Sequence, residues 1–337
     1  MTERPNDEFA RIDLLLEESR SSRFTDPARM VYFAELAQAA AHRLSPDHHS
    51  PLVVADTQAR VWAELGNAYR LADALDSAEA AFVQSVDALE RGSGAPLLAA
   101  LVADRFAALL CHRRRFDEAF ALLDRLSTFY LAAEERHLAG RALVIRGAYE
   151  ENAGNPQACA LYTAKGLELI DSREEPGLLL SAVHNLLSSA ADLGHFSLAA
   201  EFLPVIRPLY GSDRLNLLRL RWLEGRVAAG LGKTVEAEEA FRAVKAGFAE
   251  ARLIFPAGLV MLDLALLLDR EGRTAEIVPL AEEMLTFFQA LQIGREAVVS
   301  LLLLRRSCEE RAQAAITVPE RILTVRRIVL EMERRQR

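Results

Sequence analysis

The feature that most constrains this chain is a spacing that returns. In "VWAELGNAYRLADALDSAEAAFVQSVDALERG", residues 61–92, Trp62, Leu65, Gly66 and Tyr69 are followed by Ala78 and Phe82. With Ala78 as anchor, equivalent positions fall at Ala119, Cys159, Ala199, Ala237 and Ile277, in steps of 41, 40, 40, 38 and 40 residues. Glycine stands five residues before four of these anchors, at Gly154, Gly194, Gly232 and Gly272. A hairpin of two helices cannot bury its apolar face alone, so a regular period of this length demands that neighbouring hairpins stack. Small residues at the crossing of the two helices let the backbones approach, and large ones fill the space around them.

Composition agrees with helices throughout. The 337 residues suggest about two domains by length. They are 51% hydrophobic and 26% charged, enough to bury a large core. Leu, Ala, Glu and Arg dominate, and these lose little side-chain freedom in a helix. Period-2 runs of Val, Ile and Thr are missing, so the chain reads as all-α. The formal net charge of −8 argues against direct nucleic-acid binding, which needs a basic face to displace counterions. Cys111, Cys159 and Cys308 are scattered, which fits a reduced, cytoplasmic protein. The opening MTERPNDEFARIDLLLEESR is charged and lacks the apolar core of a secretory signal. The most apolar run, Leu259 to Leu268, is interrupted by Asp263 and is too short to span a bilayer, so no membrane partner is expected.

The spacing W-x2-L-G-x2-Y…A-x3-F resembles the tetratricopeptide-repeat superfamily, over residues 59–291. That resemblance implies a right-handed α-solenoid of antiparallel helix pairs with C-terminal capping helices. The organisation expected is a degenerate N-terminal helical hairpin in 1–50, six repeats in 59–291, and capping helices in 294–337, read as Gly294–Gln313 and Val318–Arg335. The step near 40 exceeds the usual 34 of such repeats, which implies longer helices or longer connections. The period and the Leu/Ala/Arg-rich character look like the sensor arrays of bacterial transcriptional regulators. In those, a helix-turn-helix domain often precedes the array; here residues 1–50 read as a repeat, so a DNA-binding domain is expected to be missing or to lie on another chain.

Motifs with chemistry are weak against this frame. "AAGLGKT" (228–234) lacks the first glycine of a phosphate-binding loop, since Val227 stands in its place, and it reads as the turn of a hairpin. "DHH" at 47–49 reads as a solvated loop rather than a metal site, which needs three or four converging ligands. The other histidines are scattered, and no HExxH, GxSxG or SxxK occurs. No catalytic residue, metal or cofactor is expected.

The useful positions are carried over from the resemblance. In tetratricopeptide arrays, set places on the first helix of each hairpin line a concave groove. Here they are Arg60, Asn67 and Arg70; Asp104, Cys111 and His112; Arg141, Glu151 and Asn152; His184, Ser188 and Asp192, with Asn185 beside them; Arg219, Trp222 and Arg226; and Leu259, Leu266 and Asp269. The two-carboxylate clamp for chaperone C-termini is not met, because Ala63 and Arg105 stand where it wants Lys and Asn. The face Arg219–Trp222–Arg226 suits a carboxylate or phosphate next to an apolar group. It also suits a Trp222 packed between repeats, with the arginines paired to Glu224 or a neighbouring unit. The stripe Val318, Ile322, Val325, Val329, Met332, in a stretch of charge +3, suits a capping helix, a homodimer contact or a contact to an acidic partner. The function expected is a non-enzymatic scaffold that binds a protein or peptide segment. The alternative is a ligand- or peptide-sensing regulatory array acting with a separate effector chain.

Overall fold

A computed structural model describes residues 5–290, apart from 24, 25, 46 and 252. Among the described residues every regular element is helical. The first helices are α1 (Pro5–Ser21), α2 (Pro27–His42), α3 (Pro51–Leu71), α4 (Leu75–Glu90), α5 (Pro96–His112) and α6 (Phe116–Ala132). Then come α7 (Arg136–Asn152), α8 (Pro156–Leu167), α9 (Pro176–Asp192) and α10 (Phe196–Ile206), which runs into a 3-10 turn at Arg207–Tyr210. α11 (Arg214–Gly230), α12 (Thr234–Glu250), α13 (Ile254–Arg270) and α14 (Thr274–Ala290) complete the set. The residues fall into two compact units, the first ending at Leu143 and the second beginning at Val144. The closing helices expected over 294–313 and 318–335 lie outside the described residues. No described helix is long and apolar enough to cross a membrane.

Starts and stops are written in the sequence. Pro27, Pro51, Pro96, Pro156 and Pro176 open helices, where a missing N–H costs nothing and φ is already helical. Asp26 and Asp213 cap α2 and α11 by accepting from the N–H of Arg29 and Asn216. Within the hairpins one turn recurs. The amide of Ala74 donates to Tyr69 O, Arg115 to Leu110 O, Asn155 to Glu150 O, His195 to Ala190 O, Lys233 to Ala228 O and Arg273 to Leu268 O, all at 2.8–2.9 Å. This is the six-to-one bond that closes a helix through a left-handed residue. That residue is Gly154, Gly194, Gly232 or Gly272 in four hairpins, and Asp73 or Arg114, at φ 62°, in the others.

The 40-residue step has a simple origin. α5, α6, α7, α9, α11, α12, α13 and α14 are 17 residues each, and after the 12-residue α8 the connection 168–175 keeps the step, so the longer period resides in long helices and, where a helix is short, in its connection. The short step of 38 falls where Pro204 lies inside α10 and a 3-10 turn with Pro208 follows, closing that hairpin early.

The six anchors, Ala78, Ala119, Cys159, Ala199, Ala237 and Ile277, are all 0% exposed. Where the first helix carries glycine, the reason is contact. A Cβ on Gly66 would stand 2.8 Å from the Phe82 ring, and one on Gly225 would stand 2.9 Å from Phe241. Each phenylalanine fills the notch its glycine leaves, a burial worth about 2–3 kcal/mol. Trp62 and Tyr69 pack with Met30, Ala34, Leu65 and Ala68, and the Tyr69 hydroxyl donates to Glu35 at 2.8 Å. They are frame. The N-terminal pair α1 and α2 follows the same logic. Met30, fully buried, takes the anchor place of α2, and Ser19 Oγ donates to its carbonyl at 2.9 Å.

One expectation is corrected. The DHH loop is not uniformly solvated: the His49 side chain is buried, its Nε2 lies 2.7 Å from Glu8 Oε2, and its ring meets Phe9 edge-on. Buried imidazoles seek a polar partner and an aromatic edge, and α1 supplies both.

Candidate functional site

The first helix of each hairpin carries the polar residues, and they bond from one odd-numbered helix to the next. In the first unit, Asn67 and Arg70 on α3 are buried. Arg70 donates to Asn67 Oδ1 from Nη2 at 2.7 Å and from Nε at 3.2 Å. His112 on α5 donates from Nδ1 to its own helix, at Ala108 O, 3.0 Å away. That leaves Nε2 to accept from Arg70 Nη1 at 3.2 Å. One turn earlier, buried Glu64 meets Arg20 at 3.7 Å and Arg105 at 3.5 Å. Arg105 also bonds Asp104 at 2.8 Å, and Asp104 takes Arg141 of α7 at 2.7 Å. Burial pushes the Asp104 carboxyl up, but Arg141 and Arg105 outweigh it and hold the group below the ordinary aspartate range. Arg60 pairs with Asp13 of α1. Cys111 is buried.

In the second unit the bonds again step between odd-numbered helices. Arg226 on α11 donates from Nη1 to Ser188 Oγ on α9 at 3.1 Å, and Ser188 donates on to Glu151 Oε1 on α7 at 2.6 Å. Arg226 also pairs with Asp192. Burial pushes the Glu151 carboxyl up, and the Ser188 bond opposes that. Trp222 donates from Nε1 to Asp263 Oδ2 on α13 at 2.7 Å and meets the Phe248 ring edge-on at 6.0 Å. Leu259 and Leu266 of α13 are half-buried beside the apolar core that Trp222 also joins. Asn185 is buried, Asn152 is exposed, and burial pushes the Asp269 carboxyl up.

His184 sits on α9 with its Nδ1 2.8 Å from the Tyr210 hydroxyl. Burial, then the charges of Arg219 and Arg226, bring its pKa down to about 4, so the ring is neutral at pH 7. Burial and Glu224 push Tyr210 up to about 12. Arg219 is exposed, and among the described residues no carboxylate stands within ion-pair distance of it.

The sequence-derived residues thus form two local sets: Asn67, Arg70, Asp104, His112 and Arg141 in the first unit, and His184, Arg219, Trp222 and Arg226 in the second. Four contributors escaped the sequence reading: Glu64, Arg105, Asp263 and Tyr210. Arg105 stands directly after the groove position Asp104, and Glu64 and Asp263 each lie four residues after one groove position and three before the next, which puts them on the same helix face. Tyr210 carries none, because the 3-10 turn that presents it follows from Pro208 and the early end of α10. Among the described residues, no three His, Cys, Asp or Glu side chains converge to hold a metal ion.

No family model matches this chain, and no curated protein matches it in sequence. Among solved structures, the chain is similar to the crystal structure of a Rap protein complexed with competence and sporulation factor. The TM-score is 0.69 at 11% identity, over 96% of this chain and 88% of that chain. At that identity the likeness is one of fold: an all-α, tetratricopeptide-like array of helical hairpins.

Proposed function

We propose that the chain is a non-enzymatic binding module that takes an extended peptide or protein segment along the odd-numbered helices of its second unit. One observation carries the reading. Glu151, Ser188, Arg226, Trp222 and Asp263 lie on four successive odd-numbered helices, bonded from each to the next, with the half-buried Leu259 and Leu266 beside them. A strip that alternates hydrogen-bonding and apolar groups matches what an extended main chain presents, and pre-formed helical arrays bind segments this way. The similar Rap structure, complexed with competence and sporulation factor, supports the choice of a binding module over a purely structural array. In the finer form of this reading, the chain is the sensing part of a cytoplasmic bacterial regulatory system and acts on an effector protein.

The test is affinity selection of a short random-peptide library on the purified full chain, with retained peptides identified by mass spectrometry. Wild type should retain a subset, and Asp192→Trp, which crowds the strip from an exposed position beside Arg226, should release it with helicity unchanged by circular dichroism. Equal retention by both would overturn the assignment of the strip.

A further inference from the structure

Arg141 and Arg219 hold the same place on their helices, the sixth residue of α7 and of α11. Each looks back to the ninth residue of the preceding odd-numbered helix. Beneath Arg141 that residue is Asp104 of α5, and the two close at 2.7 Å. For Arg219 the corresponding residue is His184 of α9, whose imidazole feels the Arg219 charge. The imidazole cannot serve as counterion: it is neutral, and its Nδ1 is engaged by Tyr210. The carboxylates around it are engaged too. Asp192 is held by Arg226, Glu224 by Arg207 and Arg221, Glu151 by Ser188 and Asp263 by Trp222. Arg219 is therefore a guanidinium on a polar strip whose matching position holds a histidine where the first unit holds a carboxylate.

We propose that Arg219 binds the carboxylate of the segment that occupies the second unit, in the place that Asp104 fills beneath Arg141. A guanidinium presents paired N–H groups that match a carboxylate, and the neutral His184 beside it adds no repulsion and no competing charge. This inference rests on the peptide-binding reading above. The carboxylate comes either from a free C-terminus or from an Asp or Glu side chain.

The probe is the short random-peptide library made four ways: with a free C-terminus, amidated, free but without Asp and Glu, and both amidated and without Asp and Glu. Wild-type full chain should retain the unmodified library about tenfold better than the one stripped of both carboxylates. Arg219→Gln should lose that advantage and leave the stripped library unchanged. His184→Asp, which restores the internal counterion, should lose it too. The amidated and Asp/Glu-free preparations show which source is used. Equal retention of stripped and unmodified libraries by wild type, or an undiminished preference in Arg219→Gln, overturns the proposal while the peptide-binding reading stands. Retention of nothing by wild type overturns both. The Arg219 side chain is exposed and makes no hydrogen bond or ion pair among the described residues, so its variant tests binding rather than folding even if His184→Asp fails to fold.

Discussion

The two units use one hairpin design and differ in how they finish their polar strips. In the first, Arg20, Glu64, Arg105, Asp104 and Arg141 alternate sign from α1 to α7, and each carboxylate sits between two guanidiniums. In the second, a serine relays between Arg226 and Glu151, a tryptophan meets Asp263, and a neutral histidine stands where the first unit has Asp104. Alternating full charges lock neighbouring helices together, because removal of one strands its partners away from water. Neutral relays lock them less, because a hydrogen bond between uncharged groups contributes less than one to a charge. The contrast teaches that equivalent positions on repeated hairpins can carry a closed chain of ion pairs in one unit and neutral relays in the other.

The sharpest way to break that contrast is Asp104→Ala. It leaves Arg105 and Arg141, both largely buried, without their shared carboxylate, and should cost about 3–5 kcal/mol in urea unfolding. A loss under about 1 kcal/mol would place the first unit's network with ordinary surface pairs. Next comes pH. His184 has a folded pKa of about 4 against 6.5 for the free side chain. Its neutral form contributes stability that is full above pH 6.5 and is lost as pH falls towards 4. Glu151, whose carboxyl is pushed up, works in the opposite direction, so the comparison must be with His184→Gln. By pH 4 wild type should have lost about 2–3 kcal/mol relative to that variant; parallel stability curves would contradict the burial assigned to His184.

Two smaller effects sharpen the comparison. Gly66→Ala and Gly225→Ala both push a methyl into a phenylalanine ring. Each should lower stability by about 1–2 kcal/mol, the overpacking exceeding the gain in helix propensity. Similar values in thermal unfolding would confine the difference between units to the polar strips. Smallest is Asp73→Gly or Arg114→Gly, which relieves a left-handed backbone and should raise stability by up to about 1 kcal/mol. No gain would mean that their side chains offset the strain.

The hairpins were legible because their signal is local. A glycine five residues before a small residue marks a turn and an anchor, and every anchor so found is buried. Asp73 and Arg114 adopt the glycine turn without being glycine, and there only the period betrays them. The polar strip was legible as positions and not as partners. Nothing in the spacing distinguishes Arg141, which meets a carboxylate, from Arg219, which does not, until the ninth residue of the preceding helix is compared. Trp222 and Arg226 looked like a recognition pair; the structure engages them with Asp263, Ser188 and Asp192, side chains that lie 34–41 residues away.

The 17-residue helices and their repeated three-residue turns set a unit of length for change in this chain. Deleting one residue within a helix rotates everything beyond it by about 100° and takes anchors and strip out of phase. Deleting or duplicating a whole stretch of 40 returns every later residue to its place. Such a molecule can lengthen or shorten only in whole hairpins, and each hairpin gained would bring another sixth-residue and ninth-residue pair to be filled by charge or left open.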